Sequence, residues 1–140
     1  MRCSFRLVLV ADRGAAPRVR RALQCWLRDR GWPPGERDDV VLAVDEAVTN
    51  VVEHAYPDGA TGSASVTAGL ATTPEGRTQV VLVVTDHGVW HTLGVRPHRP
   101  TGLRLMRACT QSVRIRPTLT GTTIMMASRP IRLAAAPSIG

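Results

Sequence analysis

The chain has 140 residues, 44% hydrophobic and 21% charged, which is the size and make-up of one domain with a single core and excludes a wholly disordered polypeptide. No apolar run approaches the roughly 20 residues of a membrane span, and Cys3, Cys25 and Cys109 are scattered without CxxC spacing, which argues against a disulfide framework or zinc knuckle and for reduced thiols in a cytosol. The net charge of +7 is carried by arginine alone, so a P-loop lysine, a Schiff-base lysine and a kinase-type phosphate-binding lysine are all excluded.

Met1 to Phe5 runs into a strand-like segment and offers no signal-peptide cleavage site, so a soluble, cytoplasmic protein is expected. Phe5 to Val10 is β-prone and ends at Asp12-Arg13-Gly14. A first helix follows, with Pro17 in its first turn, Val19, Ala22, Leu23, Trp26 and Leu27 at helical spacing, and Gly31 just past its end. Trp32-Pro33-Pro34-Gly35 is read as a rigid connection. A second helix is placed from Asp38 or Asp39, whose carboxylates suit a helix N-terminus. Its stripe of Val40, Val41, Val44, Val48, Val51, Val52 and Ala55 is rich in poor helix formers, so packing rather than propensity must hold it. Tyr56-Pro57-Asp58-Gly59 supplies the stop.

Ser63 to Leu70 and Thr78 to Thr85 read as an antiparallel hairpin around Pro74-Glu75-Gly76. His87 to Thr101 has no periodicity and reads as a loop. Gly102 to Thr110 follows as a short helix, then strands Ser112 to Thr118 and Thr122 to Ser128 around Thr120-Gly121. Residues 1–129 form the expected domain and 130–140 a frayed tail. The order β-α-α-β-β-α-β-β implies an α+β, two-layer α/β sandwich, with helices on one face of a mixed, mostly antiparallel sheet.

Charge is unevenly placed. No acid follows Asp86, and that downstream part carries eight arginines. Basic charge without a recognisable nucleic-acid module does not make a nucleic-acid binder; the arginines solvate faces or steer an anionic ligand. His87, His91 and His98 are near one another, but no cysteine or helical frame accompanies them, so loop histidines are the default reading over a metal site. Met106, Met125 and Met126 are read as core filler.

Four polar signals stand out. Glu46, Asn50 and His54 are spaced by four and share one helix face, where they offer a proton acceptor, a hard-cation ligand and a phosphate contact; the plainer reading is a wet helix face. Asp86-His87-Gly88 places a carboxylate at a strand mouth, able to accept from an amino group while glycine lets a flat ligand approach, although Asp and Gly are also ordinary turn residues. Pro100-Thr101-Gly102-Leu103-Arg104 opens into a helix, where backbone N–H groups and the dipole suit phosphate. Gly121-Thr122-Thr123 precedes the last strand and offers hydroxyls.

In this order the segments resemble a known family. Glu46 to Tyr56 (EAVTNVVEHAY) resembles the N box of the Bergerat-fold ATPases, which include gyrase, histidine kinases and MutL-type proteins; Asp86-His87-Gly88 resembles their first glycine box, Thr101 to Met106 the second, and Gly121-Thr122-Thr123 the closing Gly-Thr element. The His-Ala-Tyr ending is similar to the branch of anti-sigma-factor serine/threonine kinases. The resemblance implies a Bergerat-type fold that binds ATP and Mg²⁺, with Glu46 as catalytic base and Asn50 as the metal ligand. It further implies nucleotide contacts at His54, Asp86, Gly88, Thr101, Gly102, Leu103, Arg104 and Thr122 or Thr123. It also implies phosphoryl transfer to an anti-sigma-factor antagonist, sequestration of a sigma factor and a homodimer. The second box departs from the family's Gly-Arg-Gly-Leu pattern: Pro100 and Thr101 occupy its first two places, and proline removes an N–H. A non-catalytic, partner-sequestering module of the same fold is therefore the alternative.

Overall fold

The computed structural model describes residues 2–56, 62–88 and 100–133, with the side chains of 2–4, 100 and 101 outside that description. Its elements are β1 (Arg2–Val10), α1 (Ala15–Asp29), α2 (Pro34–His54), β2 (Ser63–Thr72), β3 (Thr78–Asp86), α3 (Pro100–Cys109), β4 (Ser112–Thr118) and β5 (Gly121–Ala127).

The strands form one sheet in the order β1-β2-β3-β5-β4, and every pairing is antiparallel. The mixed sheet expected from the element order is thus corrected. Chain passing from β3 through α3 to β4 skips one position, and β5 turns back into the gap between them. β3 and β4, which run in the same direction, are therefore not neighbours.

Alternation along the strands decides which face meets the helices. Leu9, Val66, Val80, Leu82, Val84, Ile124 and Met126 point inward and are buried with Leu23 and Leu27 of α1, Val44, Val48 and Val51 of α2, and Met106 of α3. Met125, one residue out of phase, is 41% exposed on the far face, so only Met106 and Met126 fill the core.

Helix α1 ends in a Schellman arrangement, with Gly31 at φ 77°, Gly31 N–H donating to Arg28 C=O and Trp32 N–H to Leu27 C=O. This turn drives Trp32 into the core, so the expected rigid connection begins with a buried side chain. Helix α2 begins at Pro34, about a turn before the expected Asp38 or Asp39. Proline at the first helical position lacks only an N–H that has no helical acceptor there, so Pro34 starts the helix and does not block it. Asp39 lies inside the helix and faces Arg129 at 3.7 Å.

The chain is tied down past the expected boundary at residue 129. Thr78 and Ile131 exchange two backbone hydrogen bonds of 2.8 Å, and Ile131 and Leu133 pack on the core. Pro57, Asp58 and Gly59 of the expected stop, most of the expected 87–101 loop (including His91 and His98), and residues 134–140 lie outside the described residues.

Candidate functional site

Inward alternation along β3 carries one step past Val84 to Asp86, which places a carboxylate at the open end of the sheet, only 1% exposed. Burying a carboxylate is costly unless it is bonded. Here Asp86 Oδ1 accepts the Gly88 N–H at 2.9 Å, closing a tight turn on itself. Directly opposite on β5 is Thr122, also buried. Thr123 pairs with Thr85 and, by strand alternation, faces the other side of the sheet, away from Asp86.

Two glycines let backbone press on this turn. A Cβ on Gly88 would lie 1.8 Å from the Ala55 carbonyl oxygen, so Gly88 seats directly on the C-terminal end of α2. A Cβ on Gly121 would lie 2.0 Å from the Asp86 carbonyl oxygen, and Gly121 itself has φ 153°. The ends of α2, β3 and β5 thereby meet around one buried acid. A tyrosine joins them: the Tyr56 hydroxyl donates to Ser63 C=O (2.5 Å) and accepts the His87 N–H (3.1 Å).

The helix leading away from this junction carries the other candidates. Asp45 of α2 turns toward α1, where Arg20 meets it at 3.2 Å. Glu46 is rotated about 100° further round the helix, onto a flank shared with Asn50 and with Ala43 and Ala47, which are fully buried. Besides α1 and the sheet, α2 packs on α3. Glu46 is 6% exposed, Asn50 is half-buried, and His54 Nε2 lies 3.5 Å from Glu53 Oε2. Within α3, Gly102 is buried, Leu103 packs on the core and Arg104 is exposed, while Thr101 contributes described backbone only. Pro100 is the first helical residue.

Asp86, Gly88 and Thr122 are thus brought to one junction at the end of α2. Glu46, Asn50 and His54 are ranked along that helix, and Gly102 lies on the neighbouring helix. Thr123 is not brought to the junction, and Arg104 is on the surface. Ala55, Tyr56 and Gly121 were not among the expected site residues. Tyr56 and Gly121 sit inside the motifs that pointed to the site, whereas Ala55 acts through its carbonyl, which no side-chain pattern reveals. His87 is exposed, and among the described residues no three His, Cys, Asp or Glu side chains cluster as a metal-holding group. Among the same residues, no helix is long and apolar enough to cross a membrane.

Residues 9–128 match the histidine kinase-like ATPase domain family. Among solved structures, the chain is similar to that of the RsbU and RsbW domains of Rv1364c from Mycobacterium tuberculosis, at 28% identity and a TM-score of 0.68, over 94% of this chain and 35% of that one. It also shares its fold, at 18% identity and a TM-score of 0.50, with the histidine kinase domain of the blue-light activated histidine kinase EL346 from Erythrobacter litoralis, over 82% of this chain and 59% of that one. This chain therefore spans about a third of the first of these and under two thirds of the second. The buried acid, its glycine-lined turn and the ranked polar helix face fall within the matched residues, and the chain belongs to the histidine kinase-like ATPase domain family.

Proposed function

We propose that this domain binds ATP with Mg²⁺ and transfers the γ-phosphoryl group to a serine or threonine hydroxyl of an anti-sigma-factor antagonist, acting as a cytoplasmic anti-sigma regulator that works as a homodimer and sequesters a sigma factor. Support for the nucleotide comes from the family and from one observation above all: a carboxylate buried to 1% exposure beside a buried threonine hydroxyl, on a turn that only glycine permits. Support for the anti-sigma branch comes from the His54-Ala55-Tyr56 ending of the N box and from the likeness to a chain that contains an RsbW domain.

The donor set fits the ligand. Asp86 accepts from the exocyclic amino group of adenine, and the Thr122 hydroxyl next to it serves the purine ring edge. From Ala55 to Glu46 the helix rises about 14 Å at 1.5 Å per residue, the scale of a nucleoside triphosphate laid along it. Asn50 lies between, offering an amide oxygen to a hard cation. Asn50 would hold the cation together with the ligand's own oxygens. Bound Mg²⁺ supplies charge neutralisation at the phosphates. The backbone N–H groups of the first turn of α3, which have no acceptor within the helix, would serve the phosphates, that of Gly102 among them. Glu46 removes the proton of the attacking hydroxyl as its oxygen bonds to the γ-phosphorus. The bond from that phosphorus to the β–γ bridging oxygen breaks, and ADP leaves with the oxygen.

Pro100 bears on the alternative, a binding module that sequesters its partner without catalysis. As the first residue of α3 it fits the helix, but it removes one N–H from the phosphate-facing turn. A phosphotransfer assay separates the two readings. Glu46→Gln should keep nucleotide affinity within about threefold and lower transfer by about 10²–10⁴, the usual worth of a general base. Wild-type protein that binds ATP but transfers to no hydroxyl in the antagonist family would leave the module.

A further inference from the structure

We propose that the Tyr56 hydroxyl is a positioning group for the nucleotide site: it wedges the end of β3 away from β2 and so aims Asp86, setting the preference for adenine over guanine. This rests on the reading of Asp86 as the adenine contact.

The β2–β3 ladder ends at the pair Ala64–Asp86, and the next pair in register is Ser63–His87. That pair does not close directly. The Tyr56 hydroxyl stands between them, donating to Ser63 C=O at 2.5 Å and accepting the His87 N–H at 3.1 Å. A phenol has one proton to give and lone pairs to receive, and both capacities are used. The ring is held in turn, since a Cβ on Gly62 would lie 2.0 Å from its Cε1 and Cζ atoms. One side chain therefore fixes the last turn of α2, the first residue of β2 and the residue after β3.

The effect reaches the carboxylate through the backbone. With the ladder parted at His87, the chain bends so that Gly88 seats on the Ala55 carbonyl and its N–H bonds Asp86 Oδ1. Removing the hydroxyl leaves Ser63 C=O and His87 N–H without their partner and free to close on each other. That closure would draw Gly88 off Ala55 and turn the carboxylate. Adenine presents an amino donor at the purine 6-position and guanine a carbonyl acceptor, so the aim of this carboxylate bears on the choice between them.

Tyr56→Phe keeps the ring and removes only the oxygen. In fluorescence titrations of the full chain with Mg²⁺, ATP affinity should fall about tenfold, the scale of one hydrogen bond with its consequences, while GTP affinity changes little. In the Asp86→Asn background the same substitution should add nothing, because the two act as a unit. Without nucleotide, the Gly88 amide, whose bond to Asp86 Oδ1 depends on that bend, should exchange its hydrogen faster in Tyr56→Phe than in wild type. Equal loss for both nucleotides, additivity with Asp86→Asn, or unchanged exchange at Gly88 would each overturn the positioning role. Wild-type protein with no affinity for ATP would instead overturn the reading of Asp86 on which it rests.

Discussion

The two ends of α2 are built on different principles. At its C-terminal end, backbone presses on backbone: Gly88 on the Ala55 carbonyl, Gly121 on the Asp86 carbonyl, with buried polar groups bonded across the junction. At its N-terminal end, side chains line a small, partly open cavity of about 30 Å³ formed by Trp32, Glu36, Asp39, Val40, Cys109, Ser128 and Arg129. That is ample room for a water molecule. There the Trp32 indole N–H is buried without a partner among the described residues, and Asp39 and Arg129 form a partly exposed ion pair at 3.7 Å. Side chains can shift to absorb a change, whereas the Ala55 carbonyl moves only with the backbone at the end of α2 that carries it. The end proposed to meet the nucleotide is therefore the less forgiving.

Matched glycine substitutions should break or sharpen that contrast. Gly88→Ala drives a Cβ into the Ala55 carbonyl. It is expected to cost about 1–3 kcal/mol of stability, as overpacking does, and to remove measurable nucleotide binding. Gly35→Ala, in the first turn of the same helix, meets nothing within 4 Å. It should be neutral or stabilise by up to about 1 kcal/mol through helix propensity and reduced unfolded-state freedom. Denaturant melts and nucleotide titration of both variants check this, and equal damage at the two ends would dissolve the distinction.

A smaller effect belongs to the N-terminal end alone. Burial pushes the Cys109 thiol up, the Asp39 carboxylate adds to this, and the Arg129 guanidinium opposes it. A folded-state pKa above the unfolded one means that the contribution is fully present at neutral pH. It is lost as pH rises beyond the ordinary thiol value of about 8.5. The unfolding midpoint should therefore fall more steeply in alkaline buffer for wild type than for Cys109→Ala, with nucleotide affinity alike in both. Parallel pH profiles would remove the thiol from the account.

Much of this architecture was legible in the sequence, for identifiable reasons. Strand alternation and turn glycines are local, so the β2–β3 hairpin and the β4–β5 pair lie within a residue or two of their expected bounds. The start of α2 was not legible, because Pro34 and Gly35 are breakers inside a helix but tolerated at its first turn. The burial of Trp32 was not legible, because a Schellman turn, and not the residue's own neighbours, sends it inward. Among the candidate site residues, Glu46 and Asn50 were picked out by four-residue spacing and Asp86 by its strand-end position, and the family resemblance supplied the roles proposed for them. Tyr56 was seen only as part of a motif, since its hydrogen bonds depend on Ser63 and His87 arriving beside it. Thr122 and Thr123 could be separated only once β5 was registered against β3, which sets Thr122 opposite Asp86 and Thr123 on the other face.

The central claim is that Asp86 and Asn50 hold opposite ends of one nucleotide laid along α2. A structure determined with Mg²⁺ and a nonhydrolysable ATP analogue tests it most directly. The purine amino group should lie on the Asp86 carboxylate, Thr122 beside the ring, and the cation on the Asn50 side-chain oxygen. An analogue bound elsewhere, or bound here with Asn50 turned away from the cation, would contradict it.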